Sequence, residues 1–229
     1  FTTVPDTAPP TVSTYSPTVA NSSVQPTANL VLTFNEVVNT DSGTISIYQT
    51  SGNVLVETMT ATSAQVTGSG STTITINPIN DLQANISHYV LISNRAFKDN
   101  ANNYYAGIAA TNTWYFTTVD TVAPTLSSVS TNSTGNQIVL TMSENISATL
   151  AATSAFAVLA DSIVDTVTAV SASTNKVTLT LARNINPGQT VTIAYTDPTG
   201  GNDANALQDT TGNDAATWSA RSVINVVIA

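Results

Sequence analysis

Six acidic residues fall into two matching sets along this 229-residue chain. Asp6 opens "DTAPP" (6–10) and Asp120 opens "DTVAP" (120–124), while Glu36 closes "NLVLTFNE" (29–36) and Glu144 closes "QIVLTMSE" (137–144). Asp99 lies in "AFKDNANNYYAG" (96–107) and Asp209 in "ALQDTTGNDAATW" (206–218). Three carboxylates brought together repel one another unless a cation joins them. Calcium suits such a set, because it takes about 6–8 oxygens from carboxylates, amides, backbone carbonyls and water at about 2.3–2.6 Å. Asn100, Asn103 and Asn213 sit in the same loops and would add neutral oxygens. Zinc and iron are disfavoured by the lack of cysteine and the single histidine. There is no contiguous calcium loop of the EF-hand type, so a second explanation stands beside metal: Asp and Asn side chains that close Asx-turns on their own backbone.

Other chemistry finds little support. His88 lies inside the strand-like run "SHYVLI", away from any nucleophile motif, and reads as a strand histidine. G-x-S-x-G, H-E-x-x-H and a phosphate-cradling glycine loop are all absent from the sequence. Asp197, Asp203, Asp209 and Asp214 include enough carboxylates for a glycosidase pair, but they crowd one loop without aromatic platforms around it. No catalytic residue is assigned and no enzymatic activity is expected. Trp114 and Trp218 hold corresponding places near the end of each half and read as core aromatics in preference to sugar-stacking platforms. "NYY" (103–105), in a long loop, is the better candidate for surface contact.

The elements that must position these residues are strands. Runs rich in Val, Ile and Thr recur near 11–15, 29–34, 44–48, 54–60, 72–76, 88–93 and 113–118. They recur again near 125–130, 137–142, 155–160, 163–170, 176–181, 190–195 and 217–228. Several alternate with period two, as half-buried strands do, and turn residues separate them. The expected fold is all-β, two tandem Ig-like seven-stranded β-sandwiches, with domains at 1–119 and 120–229. Prolines beside each "DT" stiffen the connection between them. Gly212 stands where the first half has Asn102, and these are the two residue types that most readily take a left-handed conformation. If seven strands run alternately down and up, the start of the first, the end of the second and the loop from sixth to seventh share one pole. Asp6, Glu36 and Asp99 hold those places in the first half, and Asp120, Glu144 and Asp209 in the second. Calcium at the second trio would restrain the joint between domains.

Composition bounds the setting. Charged residues are 8% of the chain against a usual value of about 25%, so the polar surface is built mainly from Thr, Ser and Asn. The net charge is −9, and the five cations, Arg95, Lys98, Lys176, Arg183 and Arg221, are scattered. That leaves no basic stripe for nucleic acid and no polybasic segment for anionic lipid. No apolar run approaches the ~20 residues of a helical span, so membrane insertion is not expected. "FTTVPDTAPP" lacks the pattern of a signal peptide, and an export signal or anchor is expected to lie outside this stretch. A cysteine-free chain rich in Thr, Ser and Asn fits an exported bacterial surface protein.

The motifs carry a resemblance. "LVLTFNEVV", the "AFKDNANN" loop and the closing "TWYFTT" resemble the bacterial Ig-like domain of S-layer proteins. "IVLTMSENI", "VTIAYTDPTGGNDANALQDTTGNDAATW" and "SVIN" resemble the repeat of the cell-surface protein needed for swimming in marine cyanobacteria. The resemblance implies tandem Ig-like sandwiches in a long extracellular polypeptide, with a structural or adhesive role at the cell surface. The implied partners are neighbouring domains, further copies of the same surface protein, or cell-surface glycan. The alternative is an accessory glycan-binding region of a secreted polysaccharide-active enzyme, which an exposed row of aromatics on one sheet would favour.

Overall fold

A computed structural model describes residues 4–228, and it is built from strands and short turns. The chain divides after Asp120 into two compact units. In the first, β1 (Val12–Ser16), β3 (Leu30–Thr40), β7 (Ser71–Ile76) and β6 (Val66–Thr67) form one sheet in the order β1-β3-β7-β6, with β9 (Phe97–Lys98) paired to the far end of β3. The facing sheet runs β2-β10-β8-β4-β5, from β2 (Asn21–Val24), β10 (Tyr115–Thr118), β8 (Ser87–Ile92), β4 (Thr44–Gln49) and β5 (Val54–Thr60). Alternation decides which side chains fill the space between the sheets. Leu30, Leu32 and Phe34 of β3 point inward with Ile74 and Ile76 of β7, and Ile45, Ile47, Val90, Ile92 and Phe116 meet them from the other side.

The second unit repeats the plan. Its sheets are β11-β12-β16-β15 and β14-β13-β17-β18. The first comprises β11 (Leu126–Thr131), β12 (Gln137–Met142), β16 (Lys176–Leu181) and β15 (Val167–Ser173); the second comprises β14 (Ile163–Asp165), β13 (Phe156–Ala160), β17 (Val191–Tyr195) and β18 (Trp218–Val223). Ile138, Leu140, Val177, Leu179 and Ile193 are sealed in its core.

Two all-β sandwiches are therefore present, but with ten and eight strands among the described residues where seven each were expected. Three extra strands in the first unit, β2, β6 and β9, are only two to four residues long and carry no periodic signal of their own. In the second unit the run 163–170 is two strands on different sheets: β14 pairs β13 and β15 pairs β16. The switch is pinned by Asp165, buried at the corner, which accepts the Arg183 N–H at 3.2 Å, while the Ala182 N–H meets the Thr166 carbonyl at 2.9 Å. The last expected strand stops at Val223, and Ile224 crosses to bridge Ser130 of the opposite sheet.

His88 lies on the inward face of β8, fully buried and stacked on Phe116 at 5.8 Å; neither ring nitrogen meets a well-formed hydrogen-bond partner among the described residues, and the Ile86 backbone beside it offsets only part of the burial. Burial lowers its pKa, because the charged form has no water around it. A neutral histidine of this kind stabilises the fold above its unfolded value of about 6.5, and that contribution is lost as pH falls toward the folded value. We predict that the first unit, followed through Trp114 fluorescence in a Trp218→Phe background, loses stability as pH falls below about 6.5, at up to about 1.4 kcal/mol per pH unit. His88→Leu should flatten that slope, and an unchanged slope in the variant would assign the acid sensitivity to other groups.

Candidate metal centre

Three kinds of piece assemble the acidic trios, two of them common to both. The first is a clamp between the leading segment and the strand that carries the glutamate. In the first unit the Thr11 N–H donates to Asn35 Oδ1 at 2.7 Å and the Asn35 N–H returns to the Thr11 carbonyl at 3.0 Å. In the second the Thr125 N–H donates to Ser143 Oγ at 2.9 Å and the Ser143 N–H to the Thr125 carbonyl at 2.8 Å. Asn35 and Ser143 each precede the glutamate, and sequence reasoning missed them. The available signal was a small polar acceptor at the same place in both repeats.

The second piece, found in the first unit, is a bulge. The register of β3 against β7 shifts between Thr33 and Val38, and Glu36 sits in that irregular stretch, half-buried.

The third piece is the Asp–Asn loop. Asp99 Oδ1 accepts the Asn103 N–H at 2.7 Å and Oδ2 accepts Asn103 Nδ2–H at 2.7 Å, while the Asp99 N–H donates to the Asn103 carbonyl at 3.0 Å. Asp209 repeats the pattern with Asn213 at 2.9, 2.8 and 3.0 Å, and Thr211 adds its N–H at 2.7 Å and its hydroxyl. Asn102 and Gly212 take the left-handed conformation at φ 67° and 94° that the loop requires, as their matched positions implied.

These pieces converge. Ligand oxygens of Asp6, Glu36 and Asp99 all lie within 4.8 Å of one another, and those of Asp120, Glu144 and Asp209 do likewise. Asp6 is exposed, the two glutamates and Asp120 are half-buried, and Asp99 and Asp209 are buried. Asn103 Nδ2–H also reaches the Asp6 carbonyl at 3.2 Å, tying the loop to the leading segment. The neighbouring amides are engaged within and beside the loops. Asn103 and Asn213 offer their amide nitrogens to their aspartates, and Asn100 Oδ1 is taken by Asn39 at 2.8 Å.

The electrostatics divide the trio. Desolvation raises the Glu36 pKa, and the charges of Asp6 and Asp99 raise it further. For Asp99 and Asp209 desolvation also pushes upward, but the hydrogen bonds from Asn103, and from Asn213 and Thr211, together bring each below the usual aspartate range. Asx-type closure thus accounts for both buried aspartates. It does not account for Glu36, which no hydrogen bond or ion pair reaches among the described residues.

The remaining sequence candidates fall into structural roles. Trp114 is fully buried with its indole N–H on the Pro17 carbonyl at 2.9 Å, and Trp218 is half-buried against Tyr195 at 4.6 Å. In "NYY", Tyr105 packs on Phe34 in the core and Tyr104 is held by Arg95 and by Asp41, to which its hydroxyl donates at 2.8 Å, so this stretch is not a free platform. Asp203 and Asp214 spend their oxygens ordering the loop around them.

Residues 6–118 match the family model described as "Bacterial Ig-like domain", and residues 119–200 match the one described as "Putative flagellar system-associated repeat". No curated protein matches the chain. Among solved structures, the S-layer protein rSbsC is similar at 13% identity over 95% of this chain, with a TM-score of 0.34, and the chain spans 26% of its length. The BSP domain of a biofilm-associated protein is 13% identical over 95% of this chain and 30% of its own, at a TM-score of 0.24. The fibronectin(III)-like modules of Clostridium thermocellum CbhA are 12% identical over 95% of each chain, at a TM-score of 0.20.

Because the Asp209 carboxylate is held below its ordinary pKa, it stabilises the second unit above the usual aspartate range and loses that contribution as pH falls through the folded value. We predict that Asp209→Asn, in chelator, costs about 1.5–3 kcal/mol at pH 7 and flattens the acid limb below about pH 4. Chemical denaturation followed at Trp218 in a Trp114→Phe background measures both. An unchanged midpoint would show that the loop holds itself without the carboxylate.

Proposed function

We propose that this chain, in which a bacterial Ig-like domain is followed by the repeat matched at residues 119–200, is a non-catalytic structural or adhesive segment of a large exported cell-surface protein, and that each acidic trio holds calcium. The observation that carries the reading is the repetition of the trio. Two different loop sequences bring three carboxylates together at matching places, Asp6, Glu36 and Asp99 in the first unit and Glu144 and Asp209 with Asp120, at which the chain divides, although burial and then the neighbouring charges work against the ionised Glu36. A raised carboxyl pKa means that the folded state binds the proton more tightly than the unfolded one, so stability declines as pH rises from the ordinary glutamate value through the folded one. At neutral pH the metal-free fold carries the desolvation of Glu36 and the repulsion from Asp6 and Asp99, and a divalent cation offsets them. Oxygen donors at this spacing suit calcium, whose variable coordination tolerates an irregular set completed by water, more than magnesium with its strict octahedron. Neighbouring domains, copies of the same surface protein and surface glycan are the partners this role supplies. His88 supports a non-catalytic role, since it is sealed from substrate inside the first core.

Calorimetry with calcium and with chelator tests the reading. Calcium should stabilise both units, by about 2.7 kcal/mol each when free calcium is ~100 times the dissociation constant, and magnesium should substitute poorly. Glu36→Gln should raise the metal-free melting temperature at pH 7 and remove most of the calcium response of the first unit. Glu144→Gln should remove that of the second, and Glu57→Gln, outside both trios, should leave the calcium increment intact. A wild-type melting curve indifferent to calcium would make the carboxylates ordinary loop residues.

A further inference from the structure

The outward face of the sheet β5-β4-β8-β10-β2 carries a row of tyrosines that the core does not use. Tyr48 of β4 pairs directly with Tyr89 of β8, and Tyr89 pairs with Tyr115 of β10. Their strand neighbours Ile47, His88, Val90 and Phe116 are buried inward, so alternation puts the three phenol rings on the opposite face. The Tyr48 and Tyr89 rings stack with centroids 5.1 Å apart and 6° between planes. Tyr89 is thereby buried outside the core cluster, whereas Tyr115 keeps 39% of its surface exposed.

Beside this row lies an open slot of about 200 Å³, lined by Tyr89, Tyr115, Thr50, Asn53, Thr111 and Asn112. The β4–β5 turn is shaped to present Asn53. Gly52 and Asn53 take positive φ of 73° and 51°, and Asn53 Oδ1 accepts the Tyr89 hydroxyl at 3.2 Å. Thr111 and Asn112 come from the exposed loop before β10. All six lining side chains are neutral, in a chain of net charge −9. A ligand selected here is chosen by shape, by an apolar face laid on an aromatic ring, and by hydroxyl and amide hydrogen bonds around its edge. A pyranose ring has that form: C–H groups on one face, hydroxyls around the rim, and no charge. Proline-rich peptides also seek tyrosine-lined surfaces, but they need a groove spanning several residues, and this slot is the size of one ring.

We propose that the slot binds one neutral pyranose unit of a glycan, with Tyr115 as the stacking face, Tyr89 as the floor, and Asn53 and Asn112 hydrogen-bonding the ring hydroxyls. This gives the glycan partner of the proposed surface segment a place on the first unit, and it does not depend on either acidic trio.

The test is titration of the whole chain with neutral oligosaccharides of glucose, galactose, mannose and N-acetylglucosamine, by saturation-transfer NMR and calorimetry, with and without calcium. At least one sugar should bind, equally in both conditions. Tyr115→Ala and Asn112→Ala should each weaken binding at least about tenfold with unchanged melting curves, since both residues are exposed. Tyr115→Phe should keep it within about threefold, and Trp218→Phe, in the other unit, should leave it unaltered. Failure of every sugar to bind at millimolar concentration, binding that survives both alanine variants, or a proline-rich peptide that competes for Tyr115 would overturn the assignment. A negative result with sugars leaves the calcium response as a separate measurement of the trios.

Discussion

A buried carboxylate is tolerated only where donors meet its oxygens, and each unit meets that demand within a single five-residue loop. Asp99 is held by both the backbone and the side chain of Asn103, and Asp209 by those of Asn213 with help from Thr211. The carboxylate therefore has little freedom to turn away from its neighbours. The clamps between Thr11 and Asn35 and between Thr125 and Ser143 fix the other side of each trio, across 24 and 18 residues of sequence. The buried aspartate of each trio is thus satisfied by its own loop, independently of the other two carboxylates. In the first unit Glu36 is the member without a donor of its own among the described residues, and burial first, then the charges of Asp6 and Asp99, raises its pKa.

That local construction explains what could be read in the sequence. Strands such as Leu30–Thr40 and Lys176–Leu181 alternate cleanly because one face of each meets a core, and period two survives in the order of residues. The repeated loop was legible for a related reason: a left-handed residue and an aspartate four places before an asparagine are short-range requirements, written out twice. Relations across the chain were less visible. The run from Ile163 to Val170 is unbroken by glycine or proline while changing sheets at Thr166, since the corner is stabilised by Arg183 and Ala182 from a distant segment. "NYY" looked like a surface feature because nothing nearby shows that Phe34 and Phe97 receive Tyr105. The tyrosine row was hidden for the same reason. Tyr48, Tyr89 and Tyr115 are far apart in sequence and become neighbours only through strand register.

The scarcity of charge ties these features together. With charged residues at 8% of the chain, most of the surface is hydroxyl and amide, which hydrogen-bond water and ligand with similar strength and give little long-range direction. Against that background two kinds of site differ in physical character. The trios concentrate charge in small, partly buried volumes, where an ion is the economical complement and the interaction responds to pH. The slot beside Tyr115 has no side chain in its lining that is charged at neutral pH, so whatever it holds is held by contact and hydrogen bonding, with little sensitivity to salt. Ionic strength consequently separates the two. Exposed Asp6 leaves its trio open to screening, whereas stacking on a tyrosine ring is not screened, so salt should weaken cation binding while leaving sugar binding at the sheet face in place.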